Sequence, residues 1–150
     1  MDIAIRQARP SDADAISRMI VGMAHYFLTD PAATDCQPFL ETLTPPATAN
    51  RIASERFRYF VAEDAGGLIG VIAMRDGAHL YHLFVDATKH RQGIARSLWE
   101  HARVESGNTS FTVNSSLFAV PAYQRLGFIA KSGVQSANGL SFVPMVYGQD

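Results

Sequence analysis

The run Leu83-Phe84-Val85-Asp86-Ala87-Thr88-Lys89-His90-Arg91-Gln92-Gly93-Ile94-Ala95-Arg96 holds the densest chemical signal in this sequence. An apolar strand passes into a basic, polar loop, and a helix begins at a glycine and an alanine. The first amides of a helix have no partner within it and carry roughly half a positive charge, so they form an anion site. Gly93 and Ala95 lack bulk, which lets a phosphate approach the backbone closely. Lys89, His90, Arg91 and Arg96 bring cations to the same point. A pyrophosphate suits such a site. A glycine at a helix start with basic neighbours is also a common surface loop, so this stretch alone leaves both readings open.

Those residues need a strand before them and a helix after them, and the surrounding pattern supplies both. Ile3 and Ile5 alternate with polar neighbours as a short opening strand, which Pro10-Ser11 stops. Ser11 and Asp14 resemble a capping pair for a helix whose core face is Ile16, Met19, Ile20, Met23, Ala24 and Phe27. Residues 29–47, with four prolines, read as loop holding at most a short helix at 39–43, and a second helix spans 48–56. Three strands follow as an antiparallel meander, turning at Ala65-Gly66-Gly67 and Asp76-Gly77. The helix over 92–105 places Ile94, Leu98 and Ala102 on one face and stops at Gly107-Asn108. A strand at 110–113, a helix at 121–126 closed by Gly127, and a hairpin of 128–131 with 140–147 around Asn138-Gly139 complete the chain. The order is βααβββαβαββ, a single α/β domain over residues 1–150.

In this context the sequence resembles the GCN5-related N-acetyltransferase superfamily. The family signature is Gln or Arg, two residues, Gly, one residue, then Gly or Ala, after a strand of the form apolar-x-Val. Gly93 and Ala95 fit it behind Leu83-Phe84-Val85, while His90 stands where the signature has Gln or Arg. A second match is Ala119-Val120-Pro121-Ala122-Tyr123-Gln124-Arg125-Leu126-Gly127-Phe128, similar to the family's Ala-x-x-x-Tyr-x-x-x-Gly-Phe segment. Ser116 stands where the family often has Asn, and Asn114 lies nearby.

The resemblance implies a mixed, strongly twisted sheet, mostly antiparallel, whose fourth and fifth strands splay apart. Acetyl-CoA is the implied cosubstrate. Its pantetheine arm would lie against Leu83, Phe84 and Val85, with Asn114 or Ser116 opposite. Its pyrophosphate would meet Arg91, Gln92, Gly93, Ile94, Ala95 and Arg96. The implied acceptor is a small-molecule or peptide amine, and residues 29–58 would build one wall of its cleft. Asp30, Asp35, Glu41 and Glu55 there could attract a cation, but Arg51, Arg56 and Arg58 share the stretch.

The implied reaction is direct attack of the amine on the thioester. Tyr123 matches the residue that commonly protonates the leaving thiolate, a phenol with an ordinary pKa of about 10. It could instead only pack, its hydroxyl bonded to backbone. For the base, His79 titrates near neutrality. Strict alternation puts His79 on one strand face with Tyr81 and Leu83, and His82 on the other, which argues against a metal held by both. Glu41, Glu55 or a water chain are the alternatives, and His79 could be structural. A binding module without transfer, and an interaction domain with an unrelated phosphate site, are two further readings.

The remaining signals are bland. Trp99 and the methionines read as core, and His25 and His101 as packed or solvated. Cys36, the single cysteine, has no nearby His in its Pro-rich loop; it excludes an internal disulfide and paired-cysteine metal sites. No metal is expected. A formal net charge of -1 gives no bulk attraction to nucleic acid or membrane. With no leader or apolar span, the cytoplasm is the expected compartment, and a monomer or homodimer the expected state.

Overall fold

The structure, a computed structural model, describes residues 3–24, 37–90, 92–137 and 140–148. His25, Phe27, Asp30, Asp35, Cys36, Arg91 and the Asn138-Gly139 turn lie outside the described residues. The elements run β1 (Ala4–Gln7), α1 (Ala13–Gly22), α2 (Gln37–Glu41), α3 (Pro45–Ala53), β2 (Phe57–Asp64), β3 (Gly67–Arg75), β4 (His79–Val85), α4 (Ile94–Ser106), β5 (Phe111–Ser116), α5 (Val120–Leu126), β6 (Ile129–Ala130), β7 (Gln135–Ala137) and β8 (Leu140–Tyr147). They build an eight-stranded sheet in the order β1-β2-β3-β4-β5-β8-β6, with β7 also on β8. Among the described residues only the β4–β5 pairing is parallel.

Both sheet faces are covered. On one, Ile94, Leu98 and Ala102 of α4 are almost wholly buried, and Trp99 packs against Phe111, Phe128 and Tyr147 with ring centroids 4.9, 5.1 and 5.3 Å away. On the other, Ile16 and Ile20 of α1 and Leu43 pack on Tyr59, Val61, Val71 and Ala73. His101 is packed rather than free, 4.6 Å from the Phe60 ring. The helical period and the strand alternation therefore located most of the core.

Three local expectations need correction. Ser11 does not cap α1: Pro10–Asp12 forms a 3-10 turn, and the Asp12 carboxylate accepts the Arg9 amide at 2.7 Å and both Arg6 guanidinium nitrogens at 2.9 and 3.0 Å. The Arg6 bonds hold the Asp12 carboxyl below its ordinary pKa. Pro45-Pro46 open a helix rather than close a loop; Thr44 accepts the Ala47 amide, and the prolines occupy first-turn positions whose N–H has no helical acceptor. The partner across 138–139 is β7, which the sequence pattern did not separate; β6 pairs with β8 further along, Ile129 opposite Val146.

Candidate active site

β4 and β5 are paired at only two positions, His79 with Thr112 and Leu80 with Val113. Beyond them β5 follows β8, with Asn114 opposite Pro144 and Ser116 opposite Phe142. The β5-facing edge of β4 therefore loses its strand partner after Leu80, and a cavity of about 1060 Å³ opens in the fork. Leu83, Phe84 and Val85 line one side, Asn114 and Ser116 the other, and Gly93, Ile94, Ala95 and Arg96 the far end. Gln92 is exposed and is not a lining residue, so it stands outside the cavity wall.

Gly93 caps α4 with φ +77° and ψ 10°, a left-handed conformation. A Cβ there would meet nothing within 4 Å, so backbone conformation rather than space selects glycine. The four cations divide by their partners. Lys89 pairs with the Asp64 carboxylate at 3.4 Å. His90 donates from Nε2 to the Val85 carbonyl at 2.8 Å, which fixes its tautomer and fastens the loop to the strand end. Arg96 donates to the Arg125 carbonyl at 2.7 Å, linking α4 to the end of α5. Arg125 itself lines the cavity, and neither it nor Arg96 has a carboxylate within 4.0 Å among the described residues. Sequence reading missed Arg125 because it sits inside the Tyr-x-x-x-Gly-Phe match as an unmarked position.

Tyr123 is 7% exposed and lines the cavity, its ring 5.5 Å from Phe128 in an edge-on arrangement. Its hydroxyl makes no hydrogen bond among the described residues. Burial raises the phenol above its ordinary pKa and keeps it protonated near neutrality. Across the fork, Asn114 is exposed to the cavity without a side-chain partner, whereas the Ser116 hydroxyl accepts the Ala119 amide at 3.2 Å. Asn114 is the freer of the two polar groups.

A bulge in β4 overturns the expected facing of its histidines. Ala73 pairs with His82 and Met74 with Leu80, so Tyr81 is the extra residue. One face then carries His79, Tyr81, His82 and Phe84, and the other Leu80, Leu83 and Val85, matching the separate cores these residues join. His79 thus shares its face with His82, not with Leu83. Both line the cavity. His79 bonds Thr112 Oγ1 through Nδ1 at 2.8 Å, and burial, with Arg75 nearby, lowers its pKa from 6.5. His82 is 6% exposed, its ring has no hydrogen-bond partner among the described residues, and burial with nearby Arg51 lowers its pKa to about 3. Glu41 and Glu55 are exposed and do not line the cavity. No group of three metal-ligating side chains occurs among the described residues.

A mostly antiparallel sheet that forks between β4 and β5, with a glycine-capped helix following β4, is the architecture of the acyl-CoA N-acyltransferase fold. The family described as "Acetyltransferase (GNAT) domain" matches residues 27–148, and the chain belongs to it as an N-acetyltransferase. No curated protein sequence matches the chain. Among solved structures it is similar to a GCN5-related N-acetyltransferase from Rhodopseudomonas palustris, at TM-score 0.79 and 20% identity, covering 99% of this chain and 97% of that one. It is also similar to the PaiA N-acetyltransferase of Thermoplasma acidophilum, solved with coenzyme A, at TM-score 0.77 and 16% identity, covering 99% and 100%. A third is the ribosomal-protein-S18-alanine N-acetyltransferase of Escherichia coli, at TM-score 0.68 and 18% identity, covering 97% and 93%.

Proposed function

We propose that the protein moves the acetyl group of acetyl-CoA directly to a primary amine held in the same cavity. The observation that carries this reading is Tyr123, whose hydroxyl has no hydrogen-bond partner among the described residues, lining the fork whose far end is the Gly93 helix start. The residues present fit the cosubstrate. The unpaired β4 edge offers backbone groups to an amide-rich arm, Asn114 faces it, and the first amides of α4 with Arg96 and Arg125 suit a pyrophosphate. Acetyl-CoA supplies an acetyl thioester, already activated toward amines.

The chain's own groups then divide the work. His79, neutral near pH 7 because its pKa is lowered, accepts the proton that the attacking amine loses as the C–N bond forms. Thr112 holds that imidazole through Nδ1, leaving Nε2 for the proton. Unpaired backbone amides of β4 polarise the carbonyl. Tyr123 donates its proton to the sulfur as the C–S bond breaks, and both groups return to their starting state by exchange with solvent. No observation favours the binding-module reading, and the family match removes the unrelated phosphate site.

The cosubstrate half of this reading is tested at Gly93. A non-glycine residue in this conformation costs roughly 1–2 kcal/mol, so Gly93→Ala is expected to weaken acetyl-CoA binding about tenfold. Gly93→Glu adds a carboxylate against the anion and is expected to abolish binding. In the native protein, acetyl-CoA at ~100 times its Kd should add ~2.7 kcal/mol of stability. An unmoved melting temperature, or a Gly93→Glu variant with native affinity by calorimetry, would overturn the site. Amine-dependent release of free thiol from acetyl-CoA tests the transfer half.

A further inference from the structure

Two cations, Arg51 of α3 and Arg75 of β3, flank the bulged Tyr81 of β4, and among the described residues neither has a carboxylate of its own. Arg51 donates to the Tyr59 hydroxyl at 2.9 Å and to Thr48 at 3.4 Å, and its guanidinium lies 5.4 Å from the centre of the Tyr81 ring. Arg75 lies 5.7 Å from that ring. The aromatic ring disperses two cations but neutralises neither. Arg51 has no carboxylate within 4.0 Å among the described residues; Arg75 reaches only Asp76 at 4.0 Å, and Asp76 is already held by Arg56 at 3.0 and 3.2 Å. Arg75, Tyr81 and His82 line the cavity, and no Asp or Glu among the described residues does.

His82 adds an independent observation. It is a polar ring, 6% exposed, on the cavity wall with no hydrogen-bond partner among the described residues. An unsatisfied buried imidazole costs stability that a bound ligand would recover. A neutral imidazole offers one N–H donor, and a guanidinium offers a planar fork that matches a carboxylate. A second cation brought to this wall would instead meet like charge.

Resting on the acetyl-transfer reading, we infer that the acceptor is an amine that also bears a carboxylate, the carboxylate seated on Arg75 with His82 as a second donor. Polyamines and simple alkylamines are the disfavoured class. The charge at the wall thus sets the substrate class, while the backbone fork sets the cosubstrate.

Calorimetry on the protein saturated with CoA, which prevents turnover, tests this with matched pairs: phenylalanine against phenethylamine, lysine against cadaverine, and β-alanine against ethylamine. The carboxylate member of a pair is expected to bind roughly tenfold tighter or better, and less so as salt rises. Arg75→Glu should reverse the order, and Arg75→Gln, which retains a donor without charge, should nearly abolish the preference. Melting temperatures of both variants show that they fold. Carboxylate members that fail to bind, or that bind no tighter than their partners, overturn the inference. Thiol release from acetyl-CoA with the same pairs reports separately on transfer. Preferential binding with no release keeps the anion subsite and overturns transfer; release with cadaverine preferred keeps transfer and overturns the subsite.

Discussion

Tyr123→Phe is expected to slow acetyl transfer by roughly 10²–10⁴-fold, the range that a positioned general acid supplies. Acetyl-CoA affinity and thermal stability should hardly change. The separation follows from the structure: the ring contact with Phe128 survives the substitution, and the hydroxyl has no hydrogen-bond partner among the described residues to leave stranded. Because burial raises the Tyr123 pKa above 10.0, the native enzyme should also keep this acid protonated across the pH range of an ordinary assay. The basic limb of kcat therefore lies above pH 10.0 if Tyr123 sets it. Steady-state kinetics of the variant, with calorimetry for acetyl-CoA, decide the point. Equal losses of rate and affinity would make Tyr123 a structural residue.

His82 carries the largest expected effect on stability, and it appears in acid. In the unfolded chain this histidine takes a proton near pH 6.5, whereas in the fold it stays neutral down to about pH 3. Between those values the unfolded state binds the extra proton, so stability falls as pH falls, by about 1.4 kcal/mol per unit from this group alone. The contribution is fully present above pH 6.5 and spent below about pH 3. Its environment is the reason: burial against the Tyr81 and Phe84 rings at 4.3 and 5.6 Å, the Arg51 cation nearby, and no ion pair with a carboxylate among the described residues. His82→Leu removes both the titration and an orphaned ring nitrogen. Urea unfolding of the two proteins at pH 7.5 and 4.5 is expected to show the variant at least as stable at the higher pH and clearly more stable at the lower. A difference that does not change with pH would mean that His82 protonates freely in the fold.

Much of this site was legible before the fold was known, and the illegible parts have a common cause. The glycine and alanine after the basic loop announced a helix start, but the sequence reading rested on their lack of bulk, whereas the structure gives Gly93 a left-handed φ of +77°. Ile94, Leu98, Trp99 and Ala102 announced the buried face of α4 because helical period is a property of sequence alone. Tyr123 and Gly127 were carried by a motif in which both positions are fixed by packing and turn geometry. The facing of β4 was not legible. One extra residue at Tyr81 reverses the alternation, and nothing in His79-Leu80-Tyr81-His82 distinguishes a bulge from a regular strand. Arg51 of α3 and Arg75 of β3 meet over the Tyr81 ring of β4, a juxtaposition that exists only in three dimensions. For the same reason Glu41 and Glu55, plausible bases by type, fall outside the cavity.

The central claim is that acetyl passes from acetyl-CoA to an amine in this cavity. Its most direct test follows radiolabelled acetyl from acetyl-CoA in the presence of a carboxylate-bearing amine such as lysine, while free thiol is counted. Label is expected in the N-acetylated amine, one per thiol released, with release nearly absent in Tyr123→Phe. Label that remains on CoA, or that leaves as acetate with no dependence on the amine, would contradict it.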